Sequence, residues 1–282
     1  MERQSIQRAA EAIAAADALL ISAGAGMGVD SGLPDFRGDQ SFWKAYPMVA
    51  RLGLSFPDIA NPSWFERDPQ LAWAFYGHRL NLYRQTTPHE GFAQLLAWAG
   101  TKADGYFVFT SNVDGHFQKA GFDVTRIVEC HGSIHHFQCA DNCGPDIWDA
   151  PAEPVSVDET VFRAAPPLPR CRHCRGVARP NIMMFNDFSW LAHRSSAQSQ
   201  RFAEWIKTLA EKSARLVVVE LGAGTAIPTV RMTSETIVRQ LQGVLIRINP
   251  REPEVPSGQI GLGLGAAAGI RQLNQALAKM SA

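Results

Sequence analysis

Four of the five cysteines stand in two close pairs, Cys139 with Cys143 and Cys171 with Cys174, separated by a 27-residue spacer. Two such pairs on separate ribbons can converge on one metal ion. Four thiolates close a tetrahedral zinc shell to water, so such a metal would be structural, one per chain, holding its own stretch together. The first pair is one residue wider than the tightest zinc knuckle, and Cys130 stands outside both. Eight residues before Cys139, in "CHGSIHHFQC", lies His131. An imidazole that is neutral near pH 7 suits a general base. A lone histidine after a strand is more often a structural hydrogen-bonder than a base, and residue type alone does not single out the base.

A third constellation is "GAGMGVDSGLPDFRGD", Gly24 to Asp39, directly after the apolar run "ALLISA". A strand followed by Gly24-Ala25-Gly26 lets backbone N–H groups approach a pyrophosphate, although the sixth position of the dinucleotide fingerprint is Val29 and not glycine. Further on, Asp35 can hold a hydroxyl or cationic group, Phe36 can cover a ring, and Arg37 can pair with phosphate or carboxylate. The same Asp–Arg pair could simply staple its own loop.

The elements that must position these residues are legible in outline. "ALLIS" (18–22), "YFVFT" (106–110), "RIVEC" (126–130), "RLVVVE" (215–220) and "VLIRI" (244–248) are continuous apolar runs, as expected of strands buried on both faces of a parallel sheet. Between them 2–17, 88–99 and 199–212 have amphipathic helical spacing. The alternation predicts an α/β fold, a doubly wound Rossmann-like parallel sheet with ligands at the carboxyl ends of its strands. Two stretches interrupt it. Residues 38–87 are rich in aromatics and read as a small helical layer; 139–180 are Pro-rich, Cys-bearing and poorly periodic, and read as an inserted small zinc-binding module. The expected organisation is therefore residues 1–130 and 181–282 as the dinucleotide-binding domain, with a helical insert at about 39–87, and 131–180 as the metal module. The C-terminal "GQIGLGLGAAAGIRQLNQAL" reads as a glycine-rich turn leading into a closing helix. His78, His89, His116, His135 and His136 read as loop or surface residues.

Composition excludes several classes. Lys+Arg and Asp+Glu are both 27, a balance with no nucleic-acid-binding bias. No stretch nears the roughly 20 apolar residues of a membrane helix. Glu2, Glu11 and Asp17 in the N-terminal run argue against a signal or transit peptide, so a cytoplasmic protein is the expectation.

Taken in order, these motifs resemble the sirtuins, the NAD-dependent protein deacylases. "GAGMGVDSGLPDFRG" is similar to that family's G-A-G-x-S-x-x-S-G-I-P-D-F-R, "FTSNVDGHFQKAGF" (109–122) to its T-Q-N-I-D-x-L-H-x-x-A-G, and "CHGSIHHFQC" to its His-Gly followed by the first zinc cysteine. The paired cysteines, "GVARPNIMMF" (176–185), a Gly-Thr loop after "VVVELGAG" and Asn249 after "VLIRI" occur in the family's order. The resemblance implies NAD as cosubstrate, held by Gly24, Ala25, Gly26, Asp35, Phe36, Arg37, Ser111, Asn112, Asp114, Gly222, Gly224, Thr225 and Asn249. It implies His131 as the base and Asn112 at the nicotinamide end. Nicotinamide would leave, the acyl-lysine carbonyl oxygen would take the anomeric carbon, and His131 would activate a ribose hydroxyl. The acylated peptide would lie as an added strand beside Phe185.

Three departures accompany the likeness: Ser111 replaces Gln, Ala226 replaces Ser in the Gly-Thr-Ser loop, and Phe185-Asn186-Asp187 replaces Phe-Gly-Glu. "FYGHR" is similar to the Tyr-x-x-Arg segment of sirtuins that remove succinyl and malonyl groups, which implies that Tyr76 and Arg79 bind an acyl carboxylate. By spacing alone the favoured reading of that pair is packing, an interfacial aromatic beside a surface arginine. The competing expectation is an ADP-ribosyltransferase or NAD glycohydrolase of the same fold. Acyl group, protein target, oligomeric state and the role of Arg231 are left open by the sequence.

Overall fold

The computed structural model describes residues 2–34 and 38–280. Six parallel strands form its main sheet: β1 (Ala18–Ala23), β2 (Tyr106–Thr110), β3 (Ile127–Glu129), β9 (Leu216–Leu221), β10 (Val244–Ile248) and β11 (Ile260–Leu262). Their order is β11-β10-β9-β1-β2-β3, the 3-2-1-4-5-6 arrangement of dinucleotide-binding sheets. Ile21 of β1 pairs with Val108 on one side and Val219 on the other. The chain winds outward from β1 in one direction and then, from β9, in the other. The loops leaving β1 and β9 therefore part at the carboxyl edge and leave a crevice.

Pleating decides which residues face which layer. Leu19 and Ile21 pack with Ile6, Ile13, Leu95, Ile270 and Leu273 on one face. Ala18 and Leu20 pack with Phe202, Ile206, Leu209, Val230 and Ile237 on the other. Burying one such large apolar side chain stabilises the fold by about 1.5–3 kcal/mol. Both faces are covered by helices, which is why the strand sequences are apolar throughout and not alternating.

The five predicted strands are present with ends shifted by a residue or so. The sixth corrects the reading of the C-terminal segment as a turn. Ile260–Leu262 is a strand paired with β10, and its Gly261 is there because a Cβ would lie 2.2 Å from the Pro253 carbonyl oxygen. The predicted helix at 199–212 begins earlier, at His193. His116 is a second correction: it is buried, on a short helix directly after β2.

The insert is antiparallel. β4 (Gly132–Cys139) pairs with β5 (Ile147–Asp149) and β8 (Ala178–Ile182), and β6 (Val157–Asp158) pairs with β7 (Arg163–Ala164). It shares an aromatic core with the helical layer, whose longest helix is Pro69–Gln85. That helix starts with Asp68 accepting from Leu71 N at 3.2 Å and Pro69 in its first turn. Trp73 Nε1 donates to the Ala178 carbonyl at 2.9 Å, tying the helix to β8.

Candidate active site

A cavity of about 610 Å³ opens at the crevice between the loops after β1 and β9, within the range usual for small-molecule sites. Of the sequence-predicted residues it is lined by Gly24, Ala25, Tyr76, Arg79, Ser111, Asn112, Asp114, His131, Phe185, Gly224 and Thr225. Gly26, Gly222 and Asn249 do not line it. Asp35, Phe36 and Arg37 lie outside the described residues.

The glycines bring two loops together. Gly24 N donates to the Leu221 carbonyl and Gly26 N to the Gly222 carbonyl, both at 3.0 Å. A Cβ on Gly24 would lie 2.7 Å from Ala223 Cα, and one on Gly222 2.5 Å from Gly26 Cα. These two amides are therefore spent inside the protein. What Gly24 and Gly222 supply is contact between backbones, so that both loops border one cavity. Asn249, fully buried, finishes the joint: its Nδ2 donates to the Ala223 carbonyl at 2.7 Å, and its Oδ1 accepts from Arg251 N and Glu252 N.

Arg231 has a place here as well. Its Nε donates to the Ala223 carbonyl at 3.1 Å and its Nη2 to that of Glu252. Thr225 Oγ1 donates to the Glu252 carboxylate at 2.5 Å. Glu252, missed by sequence reasoning, thus faces the cavity beside the predicted cofactor residue Thr225. A carboxylate three residues beyond Asn249 was the available signal.

His131 sits where the chain leaves the main sheet and enters the insert. Gly132 follows it with φ +81°, and a Cβ there would meet the Asn181 carbonyl oxygen at 2.1 Å, so only glycine makes this turn. Burial lowers the His131 pKa below the usual imidazole value, against an opposing hydrogen bond to the Ser111 backbone. The ring is therefore neutral at pH 7 and able to take a proton. Asp114 is also buried, and its carboxyl is pushed up by that burial. Its Oδ1 accepts from His116 N at 2.9 Å, and its carbonyl meets His135 Nε2 at 2.8 Å.

Tyr76, Arg79 and Tyr83 project from one side of the helix Pro69–Gln85, at the i, i+3, i+7 spacing that keeps side chains together. Arg79 is not an outward-facing residue. It is buried, with its guanidinium carbon 5.2 Å from the Phe75 ring centroid and 5.7 Å from that of Tyr76. Burial pushes the Tyr76 phenol up to about 12.

In the insert, the four paired cysteines converge so that their sulfurs all lie within 4.8 Å of one another. Cys139 Sγ is 3.7 Å from Cys174 Sγ, and Cys143 Sγ 3.5 Å from Cys171 Sγ. Four sulfurs about 2.3 Å from a central zinc stand about 3.8 Å apart along the tetrahedron's edges. The thiols present fit that ion. Cys130 is not among them; burial pushes its thiol up to about 12, which leaves it protonated.

The model of the Sir2 family matches residues 24–210. The chain belongs to the Sir2 family. Among related proteins, NAD-dependent protein deacylase 2 of Pyrobaculum aerophilum is 34% identical over 182 residues, 63% of this chain and 62% of that one. The mitochondrial NAD-dependent protein deacylase sirtuin-5 of Danio rerio is 30% identical over 193 residues, 63% of this chain and 59% of that one. The chain thus aligns with about three fifths of the length of these relatives. In fold it is similar to a solved Sir2 homologue mutant in complex with ADP-ribose, at TM-score 0.70 and 24% identity over 97% of both chains.

One departure from the Sir2 pattern is absorbed by the backbone. Asn186, where the family has glycine, adopts φ +54°, a left-handed conformation that asparagine tolerates. Asp187, in place of Glu, forms a fully buried pair with Arg179 and also accepts from Met184 N at 3.2 Å and Ser189 N at 3.1 Å. Phe185 N donates to the Ala60 carbonyl at 2.9 Å, which fixes this turn against the helical layer.

Proposed function

We propose that this chain is an NAD-dependent protein-lysine deacylase that releases nicotinamide and O-acyl-ADP-ribose. It acts on acetyl-lysine and, through Tyr76 and Arg79, on succinyl- and malonyl-lysine in a peptide. The observation that carries the reading is the single cavity shared by His131, Asn112, Asp114 and Arg79 between two glycine loops. NAD supplies the electrophilic ribose carbon and the hydroxyl that later attacks the acyl group. The chain's own residues do the rest. Gly24, Ala25, Gly224 and Thr225 border the phosphate path, with Gly26, Gly222 and Asn249 holding those loops behind it. Ser111, Asn112 and Asp114 border the nicotinamide-ribose end, and Asp35, Phe36 and Arg37 are assigned there by sequence. His131 takes the hydroxyl proton onto its neutral ring. The peptide lies beside Phe185.

Residues 1–130 and 181–282 then act as the NAD-binding unit and 131–180 as the zinc module. A cytoplasmic location suits the four cysteines, which must stay reduced to hold a metal. No helix among the described residues is long and apolar enough to cross a membrane.

The test is incubation with NAD and a panel of acetyl-, malonyl- and succinyl-lysine peptides, read by mass spectrometry. A deacylase yields free lysine and releases nicotinamide only when peptide is present. Nicotinamide release without peptide, or ADP-ribose attached to protein, would replace this reading with a glycohydrolase or transferase. Arg79→Met keeps length and removes charge, and should erase a preference for carboxylated acyl groups. Such a contact is worth about 1.5–3 kcal/mol, roughly ten- to over a hundredfold.

A further inference from the structure

Tyr83 bears on the acyl end of the cavity in a way that the Tyr76–Arg79 pair does not reveal. It is 4% exposed, yet it lines the cavity with Tyr76 and Arg79. Its hydroxyl oxygen accepts two hydrogen bonds from one guanidinium, from Arg79 Nε at 3.1 Å and Nη2 at 2.9 Å. A phenol oxygen has two acceptor sites and one proton. Arg79 fills both acceptor sites, so the O–H has only donation left. Among the described residues it finds no acceptor.

A buried donor without an acceptor is costly, and its cost is relieved by an oxygen brought in with a ligand. The adjoining cation polarises the O–H and makes an anionic oxygen the preferred acceptor. Burial raises the Tyr83 pKa above its ordinary value, so the proton stays in place. We propose that Tyr83 donates its phenolic proton to an oxygen of a substrate carboxylate, as a direct acyl-binding group beside Arg79. The inference rests on the dicarboxylic acyl-lysine reading above and adds to it a donor that the Tyr76–Arg79 segment does not contain. A carboxylate has lone pairs enough to accept from both at once.

The experiment compares succinyl- and acetyl-lysine peptides of one sequence on the wild type, Tyr83→Phe and Arg79→Met, with melting curves to confirm folding. Tyr83→Phe keeps the ring that packs on Arg79 and removes only the O–H. The succinyl-to-acetyl ratio of kcat/KM should fall about tenfold in it, chiefly through KM, and calorimetry should show the same loss in succinyl-peptide affinity. If Tyr83 merely occupies Arg79, removing its hydroxyl frees guanidinium donors and the ratio stays or rises. Either outcome, in a wild type whose preference Arg79→Met erases, overturns the Tyr83 proposal and leaves the Arg79 reading standing. A wild type with no preference for the carboxylated peptide overturns both.

Discussion

Asn112 Nδ2 donates to the Gly24 carbonyl at 3.0 Å, joining the loop after β2 to the loop after β1 at the edge of the cavity. The same residue's N–H is held by Thr110 Oγ1 at 3.0 Å. Asn112 is thus fixed at both ends, and the first glycine loop is fixed by it.

Asn112→Ala should therefore cost activity far more than stability. Loss of one half-buried hydrogen bond is worth about 1 kcal/mol. A catalytic group displaced by an ångström can cost about 10²-fold in rate. Nicotinamide release in the presence of acylated peptide, set beside a melting curve, measures both. A variant that melts early but turns over normally would make Asn112 a purely structural tie.

His131→Ala should abolish acyl removal and leave NAD affinity within a few fold, because the base acts after the cofactor is bound. Equal loss of NAD binding would make His131 structural. The pH profile gives a second check. Burial holds the folded pKa below 6.5, so the ring remains neutral, and the enzyme active, as pH falls to that lowered value. The acid limb of kcat/KM, which reports the free enzyme, should lie below pH 6.5; a limb above it would contradict the burial seen here.

Metal analysis should find about one zinc per chain. Cys171→Ala should release it and lower the melting temperature, since binding a structural metal is part of the folding free energy. A metal-free protein with full activity would leave the sulfur cluster without a role.

Asp187→Asn should destabilise the protein by about 3–5 kcal/mol, because it leaves the guanidinium of Arg179 buried beside a neutral amide. The neighbouring Asn186→Gly should be close to neutral, whereas Asn186→Val should cost about 1–2 kcal/mol at φ +54°. Denaturant unfolding of the three variants gives all three numbers. Equal effects would show that the turn is not held by its backbone.

The strands were readable because a sheet covered on both faces needs uninterrupted apolar runs, and "ALLIS" or "RLVVVE" can hardly be anything else. β11 was not, since three residues with a glycine between them carry no such signal. The cysteine cluster was legible from spacing, and His131 from its neighbours. Tyr83 was hidden because a third polar residue at i+7 looks like any helix face until the cavity is seen. Glu252 and Arg231 act across loops, where the partner's position is set by tertiary structure alone. For the glycines the sequence could not show that packing between the two loops uses the amides of Gly24 and Gly26, because their acceptors lie on a distant strand end.

The central strand also sets an order of assembly. Leu19 of β1 pairs with Tyr106 on one side but with Val217 on the other, roughly 200 residues later in the chain. During synthesis β1 can dock on β2 early, while its opposite edge stays open until β9 has left the ribosome. Pairings between such distant segments close slowly. Throughout that interval a six-residue strand, apolar but for Ser22, keeps a bare edge able to recruit a strand from another nascent chain. A truncation ending before Leu216 should therefore precipitate, where the full chain, with all six strands and the helix Ala266–Met280 that covers them, should stay dispersed.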